Sequence, residues 1–238
     1  MSIAANIHDV RERIAAAARR AGRNPEEVAL MAVTKTFPPE LIRQAYEAGQ
    51  RVFGENRVQE FAGKFDALCD LSGAEWHMIG HLQSNKARKA AEIFAAVDSV
   101  DSLALTEKLN AAAETAGKRM AVLVEVNIGG EAAKCGLAPD SPELERLLAS
   151  AANLAALEFR GLMTVPPFTE DPQQARPYFR RLRQLRDQIA ARRLPLVTMD
   201  VLSMGMSHDF EVAIEEGSTC VRLGTAIFGE REKPAISS

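Results

Sequence analysis

Short runs of apolar and β-branched residues alternate along this chain with longer stretches in which apolar residues return every three or four positions. Residues 3–21 carry the helical period and predict an opening amphipathic helix. Residues 28–35 read as a strand. Pro38-Pro39-Glu40 then starts a helix running to about Gly49, with proline in its first turn and glycine at its end. A strand over 51–55 precedes a helix over 57–68, and a strand over 76–80 precedes a helix over 85–95. The weaker strand 96–100 is followed by a helix over 103–116. Residues 121–128, rich in β-branched side chains, predict the clearest strand, and a helix follows over 141–154. A strand over 159–165, a long charged helix over 173–193, a strand over 199–204, a short helix over 211–216 and a strand over 220–228 complete the series.

Eight strands, each followed by a helix except the last, imply parallel pairing and right-handed crossovers. The expected fold is α/β: a single (β/α)8 TIM barrel with an extra N-terminal helix, the alternative being a doubly wound open sheet. No stretch rich in Gly, Pro or Ser divides the chain, so residues 1–238 are read as one domain.

The 238 residues are 47% hydrophobic, as in a globular protein of this size. The 29 basic against 32 acidic residues leave a net charge of −3, which argues against a general nucleic-acid binder. No apolar run reaches the roughly 18 residues of a membrane span. The first residues carry charge where a signal peptide has its apolar core, so a cytoplasmic location without membrane contact is expected. Cys69, Cys135 and Cys220 are far apart and lack zinc-ligand spacing; they read as ordinary buried thiols, and no metal ligand is assigned.

In such a barrel, function gathers at the carboxyl ends of the strands. Reading those ends in order gives Lys35, Asn56, His81, Asn127, Met163, Ser203 and Gly224-Thr225. Lys35 alternates with Val33 and Met31 and so shares the face that fills the barrel. Desolvation there lowers an amine's pKa and frees it for Schiff-base chemistry; the plainer reading is a lysine that caps the strand and reaches water. Gly224 and Thr225, with the hydroxyl of Ser203, suit a phosphate site after strands seven and eight, or a simple closing turn. Arg222 falls on the inward face with Cys220 and needs a partner, such as Glu125, a phosphate or a ring acceptor. His77 reads as a satisfied core or rim histidine and His81 as the better cleft candidate. Ser207 or Asp209 caps the next helix. Arg176, Arg180, Arg181, Arg183 and Arg186 fit a solvated outer helix better than a nucleic-acid stripe.

Seven segments together are similar to the pyridoxal phosphate homeostasis protein family: AVTKTFP (32–38), FGENRVQE (53–60), WHMIGHLQSNK (76–86), VEVNIGGEAAKCGL (124–137), RGLMTV (160–165), LSMGMSHDFEVAI (202–214) and VRLGTAIFG (221–229). The resemblance spans nearly the whole chain. It implies one barrel like the N-terminal domain of alanine racemase, without the racemases' second domain. It also implies pyridoxal 5′-phosphate (PLP) held as a Schiff base on Lys35, its phosphate on Ser203, Gly224 and Thr225, its pyridine nitrogen facing Arg222 and its ring lined by Asn56. An arginine yields no proton to the ring, so carbanion chemistry is disfavoured. The implied function is maintenance of intracellular vitamin B6 without a catalytic reaction, with PLP and apo PLP-dependent enzymes as partners. No catalytic residue is assigned, and a monomer is expected because the racemases' dimer surface is missing. The alternative is a fold-type III PLP-dependent racemase or decarboxylase using His81 or Cys135 as second base; a phosphosugar aldolase acting through Lys35 is the third reading. Lys134 reads as the end of a loop.

Overall fold

In a computed structural model, residues 2–131 and 134–230 are described. Eight strands pair in sequence order, all parallel, and β8 returns to β1 to close a barrel. They are β1 (Ala29–Val33), β2 (Val52–Glu55), β3 (Glu75–Met78), β4 (Ala96–Val100), β5 (Met120–Glu125), β6 (Leu157–Met163), β7 (Val197–Ser203) and β8 (Cys220–Leu223). The outer helices are α2 (Pro39–Glu47), α3 (Val58–Phe65), α4 (Ala87–Ile93), α5 (Leu103–Thr115), α6 (Pro142–Ser150), α7 (Arg176–Ala191), α8 (Phe210–Glu215) and α9 (Thr225–Phe228), after the extra helix α1 (Ile3–Arg20). Where a strand over 220–228 was expected, the strand stops at Leu223 and residues 225–228 form a helical turn. Gly224, which no side chain stiffens, marks the change of direction.

Two apolar layers hold these elements. Strand residues of one parity, among them Phe53, Trp76, Val122, Phe159 and Leu202, face outward onto the helices. Phe61 of α3 stacks there on Trp76, ring centroids 4.7 Å apart, and Trp76 stacks on Phe53 at the same distance. The other parity fills the barrel. Met31 is fully buried there beside Gly54, whose missing side chain leaves room for the Met31 sulfur. Gly161 matters more: a Cβ at this position would lie 1.8 Å from the Val201 carbonyl oxygen, beside an irregular stretch of the β6–β7 pairing.

Helix α1 lays Ile3, Ile7, Val10, Ile14, Ala17 and Ala18 against the barrel's outer wall. It is tied on by Asn6, whose amide donates to the Ile227 carbonyl at 2.8 Å, and by Arg13 to Glu211 at 2.9 Å. Two arginines of α7 are neutralised in the same way. Arg176 meets Glu215 at 2.6 Å and Glu216 at 2.9 Å, and Arg180 meets Glu216 at 3.0 Å. These side chains bind helix to helix rather than forming an open cationic stripe.

Two expectations need correction. Cys220 is buried, but Cys69 and Cys135 are exposed, because one follows a helix end and the other lies in the loop after β5. Asp209 does stand at the cap position of α8, yet its carboxylate accepts from the Met206 amide at 2.7 Å and makes no bond to the helix. It closes the preceding turn instead.

Candidate functional site

β1 ends at Val33, so Lys35 stands in a tight turn rather than on the strand. The turn is closed by the Phe37 amide donating to the Thr34 carbonyl at 3.1 Å, with Thr36 held at φ 66°. Lys35 is half-buried. Behind it lies a polar network that sequence reasoning missed. The Thr34 hydroxyl donates to Glu55 at 2.7 Å, and Lys64 donates to the same oxygen at 2.8 Å. Lys64 also reaches the carbonyls of Thr34 and Phe37 and the carboxylate of Glu60, which in turn accepts from the Thr36 amide. Burial pushes the Glu55 carboxyl up, and Lys64 with Thr34 opposes that rise. The available signal was the i,i+4 spacing of Glu60 and Lys64 just after Glu55.

Beside this turn runs β8, in register with β1 so that Met31 lies level with Arg222. The Arg222 side chain is fully enclosed. Its Nη1 donates to the Ser203 hydroxyl at 2.7 Å and its Nη2 to the Thr164 carbonyl at 2.7 Å. Burial lowers its pKa, and the surrounding Cys220, Asp98, Glu125 and Asp209 work against that. The contact ion pair expected with Glu125 is not made: the fork is oriented by a hydroxyl and a carbonyl, and Glu125 acts on it only through its field. Two levels above Arg222, Gly224 packs beside Val33, and Thr225 and Ala226 open α9 with amides that have no acceptor inside the helix. Ser203 is completely buried, so its hydroxyl serves Arg222 at the floor below them.

Asn56 follows β2 and is half-buried. Its backbone lies so close to Gly80 that a Cβ there would stand 2.3 Å from the Asn56 carbonyl oxygen. A cavity of about 250 Å3 opens beside it, lined by Asn56, Arg57, His81, Gln83 and Lys86 among others. Lys35, Asn56, Ser203, Arg222, Gly224 and Thr225 therefore gather at or just beyond the carboxyl ends of four neighbouring strands, β7-β8-β1-β2, at one side of the barrel's mouth.

The other side is organised by the loop after β5. Asn127 does not project into the mouth as a free donor; its amide donates to the Glu131 carbonyl at 2.8 Å and its carbonyl accepts from the Gly130 amide at 3.0 Å. Lys134 joins this loop to the next, donating to the Pro166 carbonyl at 2.9 Å and pairing with Glu131 at 3.0 Å. Met163 is buried at the end of β6. Glu125, the last residue of β5, is 8% exposed, and its Oε2 has no partner. Burial and the Asp101 charge push its carboxyl up to about 7 against the pull of Arg222 and His81. His81 bonds Asp101 at 3.1 Å. His77 lies at the opposite end of the barrel, bonded to buried Asp98 at 3.0 Å, and lines a separate cavity of about 260 Å3.

A closed parallel barrel with its polar groups collected at the carboxyl rim is the architecture of the family described as alanine racemase, N-terminal domain, whose model matches residues 5–232. The alanine racemase of Streptomyces coelicolor A3(2) shares that fold, with a TM-score of 0.70 at 21% identity over 98% of this chain and 60% of its own. Among curated relatives, the pyridoxal phosphate homeostasis protein of Aquifex aeolicus is 46% identical over 98% of this chain and all of its own length. That of Escherichia coli K12 is 44% identical over 97% of each. The structure of PipY from Synechococcus elongatus with PLP bound superposes with a TM-score of 0.83, at 36% identity over 96% of this chain and all of PipY. This chain belongs to the pyridoxal phosphate homeostasis protein family, within the alanine racemase N-terminal fold.

Proposed function

We propose that this protein binds PLP reversibly on Lys35 and serves vitamin B6 homeostasis in the cytoplasm as a monomeric carrier, not as an enzyme. The residues present fit that group. Arg222 has five N–H donors and commits two of them to Ser203 and Thr164, so the fork retains donors for a ring acceptor while its plane is held. The unassigned amides of Thr225 and Ala226 suit a phosphate, and Lys35 in its clamped turn supplies the amine. When bound, PLP offers an aldehyde that condenses with amines and a ring that accepts electrons.

The observation behind the carrier reading is the enclosure of Arg222, an arrangement that disfavours carbanion chemistry without forbidding it. A guanidinium does not give up a proton, so Arg222 would leave a ring nitrogen placed against it unprotonated and would make the ring a weaker electron sink. Lys35 then holds a reactive aldehyde away from other amines, and release to apo PLP-dependent enzymes completes the role. The names of the relatives, and PLP in the PipY structure, support the same reading.

A second reading, a PLP-dependent racemase or decarboxylase, is favoured by one contact. His81 oriented by Asp101 at 3.1 Å is an acid/base pair at the mouth. The experiment that separates the two incubates PLP-loaded protein with an apo PLP-dependent enzyme, and separately with free amino acids. A carrier restores the apo-enzyme's activity and shows no steady turnover. Sustained racemisation or decarboxylation that disappears in Lys35→Ala overturns that reading.

A further inference from the structure

Three loops on the β3-β4-β5 side of the mouth bring together donors that lie far apart in sequence. His81 follows β3, Asp101 follows β4 directly, and Cys135 lies in the loop after β5. One imidazole nitrogen, one carboxylate oxygen and the thiol sulfur all lie within 4.8 Å of one another. Among the described residues no other set of three such side chains converges in this way. His81 is 53% exposed and Asp101 16% exposed on their side chains, and the Cys135 thiol is exposed, so the group is open to an entering ion.

An independent observation points to the same place. Glu125 lies at the end of β5, nine-tenths buried, with Oε2 unpartnered, and the Asp101 and His81 charges both act on it. Asp101 and the buried Glu125 thus bring two carboxylates to the side of the mouth that also carries the imidazole and the thiol. A buried carboxylate is expensive to ionise, and Arg222, whose fork is turned to Ser203 and Thr164, acts on Glu125 only through its field. A cation at the rim would add a positive charge.

The donor set selects the ion. Nitrogen, oxygen and sulfur together suit a borderline divalent cation and not the all-oxygen preference of magnesium or calcium. Bonds of about 2.0 to 2.3 Å in a tetrahedral arrangement separate the donor atoms by about 3.3 to 3.8 Å. The three donor atoms, all within 4.8 Å, with His81 and Asp101 at 3.1 Å, stand near that range, and His81 and Cys135 are exposed. We propose that His81, Asp101 and Cys135 bind one zinc ion at the barrel rim, with a fourth position open to water or to the carboxylate of a small ligand. Binding forms the Zn–S bond as the Cys135 thiol loses its proton to solvent, and no redox partner is required.

The inference does not rest on the PLP reading, and its test uses neither cofactor nor turnover. Purified full-length protein is dialysed against micromolar zinc chloride and the retained metal is counted. One ion per chain is expected, with affinity falling at least about tenfold in each of Cys135→Ser, Asp101→Asn and His81→Gln. Replacement by cobalt should give a thiolate-to-metal charge-transfer band that survives in Cys69→Ser and is lost in Cys135→Ser. On unaltered protein, zinc should slow alkylation of Cys135 at least about tenfold while leaving the exposed Cys69 unprotected. No retained zinc, retention at the same affinity in all three variants, cobalt bound without the band, or equal protection of both thiols overturns the proposal.

Discussion

Arg222 Nη1 donates to the Ser203 hydroxyl at 2.7 Å, across neighbouring strands and with both side chains enclosed. That contact, with the Thr164 carbonyl on the other arm of the fork, sets the plane of the guanidinium before any ligand arrives. Removing the hydroxyl strands a charged donor in a dry interior. Ser203→Ala should therefore lose about 1–3 kcal/mol of unfolding free energy, measured by urea denaturation. A stability equal to the parent would show that the contact is incidental.

Arg222→Lys keeps the charge and loses the fork. A single ammonium cannot serve Ser203, Thr164 and a ring acceptor in one plane. PLP affinity, followed by absorbance titration, should fall at least about tenfold, or 1.4 kcal/mol. Unchanged affinity would remove Arg222 from the binding account.

Lys64 lies 2.8 Å from Glu55, which is fully buried, and 12% of the Lys64 side chain is exposed. Cutting the lysine leaves the carboxylate without its charge partner and loosens the turn that bears Lys35. Lys64→Met should lower stability by about 3 kcal/mol and slow adduct formation at Lys35, and adding Glu55→Gln should recover part of the stability. An additive double variant would contradict the coupling.

Gly80→Ala places a methyl group against the Asn56 backbone, where 2.3 Å is available. The strand-end loops must part. The expected result is a weakened PLP site with the barrel still folded, seen as a raised dissociation constant and an unchanged far-ultraviolet circular dichroism spectrum.

His77 gives a pH prediction. Burial alone would lower its pKa, but Asp98 at 3.0 Å and Glu75 at 3.9 Å prevail and push it up to about 10. The folded chain binds this proton more tightly than the unfolded chain. The contribution is whole below about pH 6.5 and is lost as pH rises through about 10. His77→Gln should be less stable than the parent near neutrality, by on the order of 2–4 kcal/mol, with the gap closing in alkali. A gap that is constant between pH 6 and 10 would contradict the assignment.

Most of the fold was legible because period-two and period-3.6 patterns alternate cleanly from residue 28 onward. The end of β8 was not, since residues 225–228 are as apolar as a strand and only their position after Gly224 turns them into a helix. Arg222 and Gly224 could be placed from strand parity and from the ends of strands, whereas Lys35, read as the last inward residue of its strand, lies in the turn beyond it. The supports around them could not. Glu55 is buried by packing behind a turn, and Ser203 is drawn to Arg222 by a cross-strand register that the linear sequence does not display. His81, Asp101 and Cys135 show the limit most plainly: no short spacing links them, and only closure of the barrel makes three loops neighbours.

The central claim is that Lys35 is the residue that holds PLP. The most direct test loads the protein with PLP, reduces it with borohydride and maps the modified peptide by mass. The account predicts a yellow absorbance that borohydride abolishes and a single phosphopyridoxyl adduct on Lys35, absent from Lys35→Ala. A protein that stays colourless with PLP, or an adduct on Lys64 or Lys134 in place of Lys35, would contradict it.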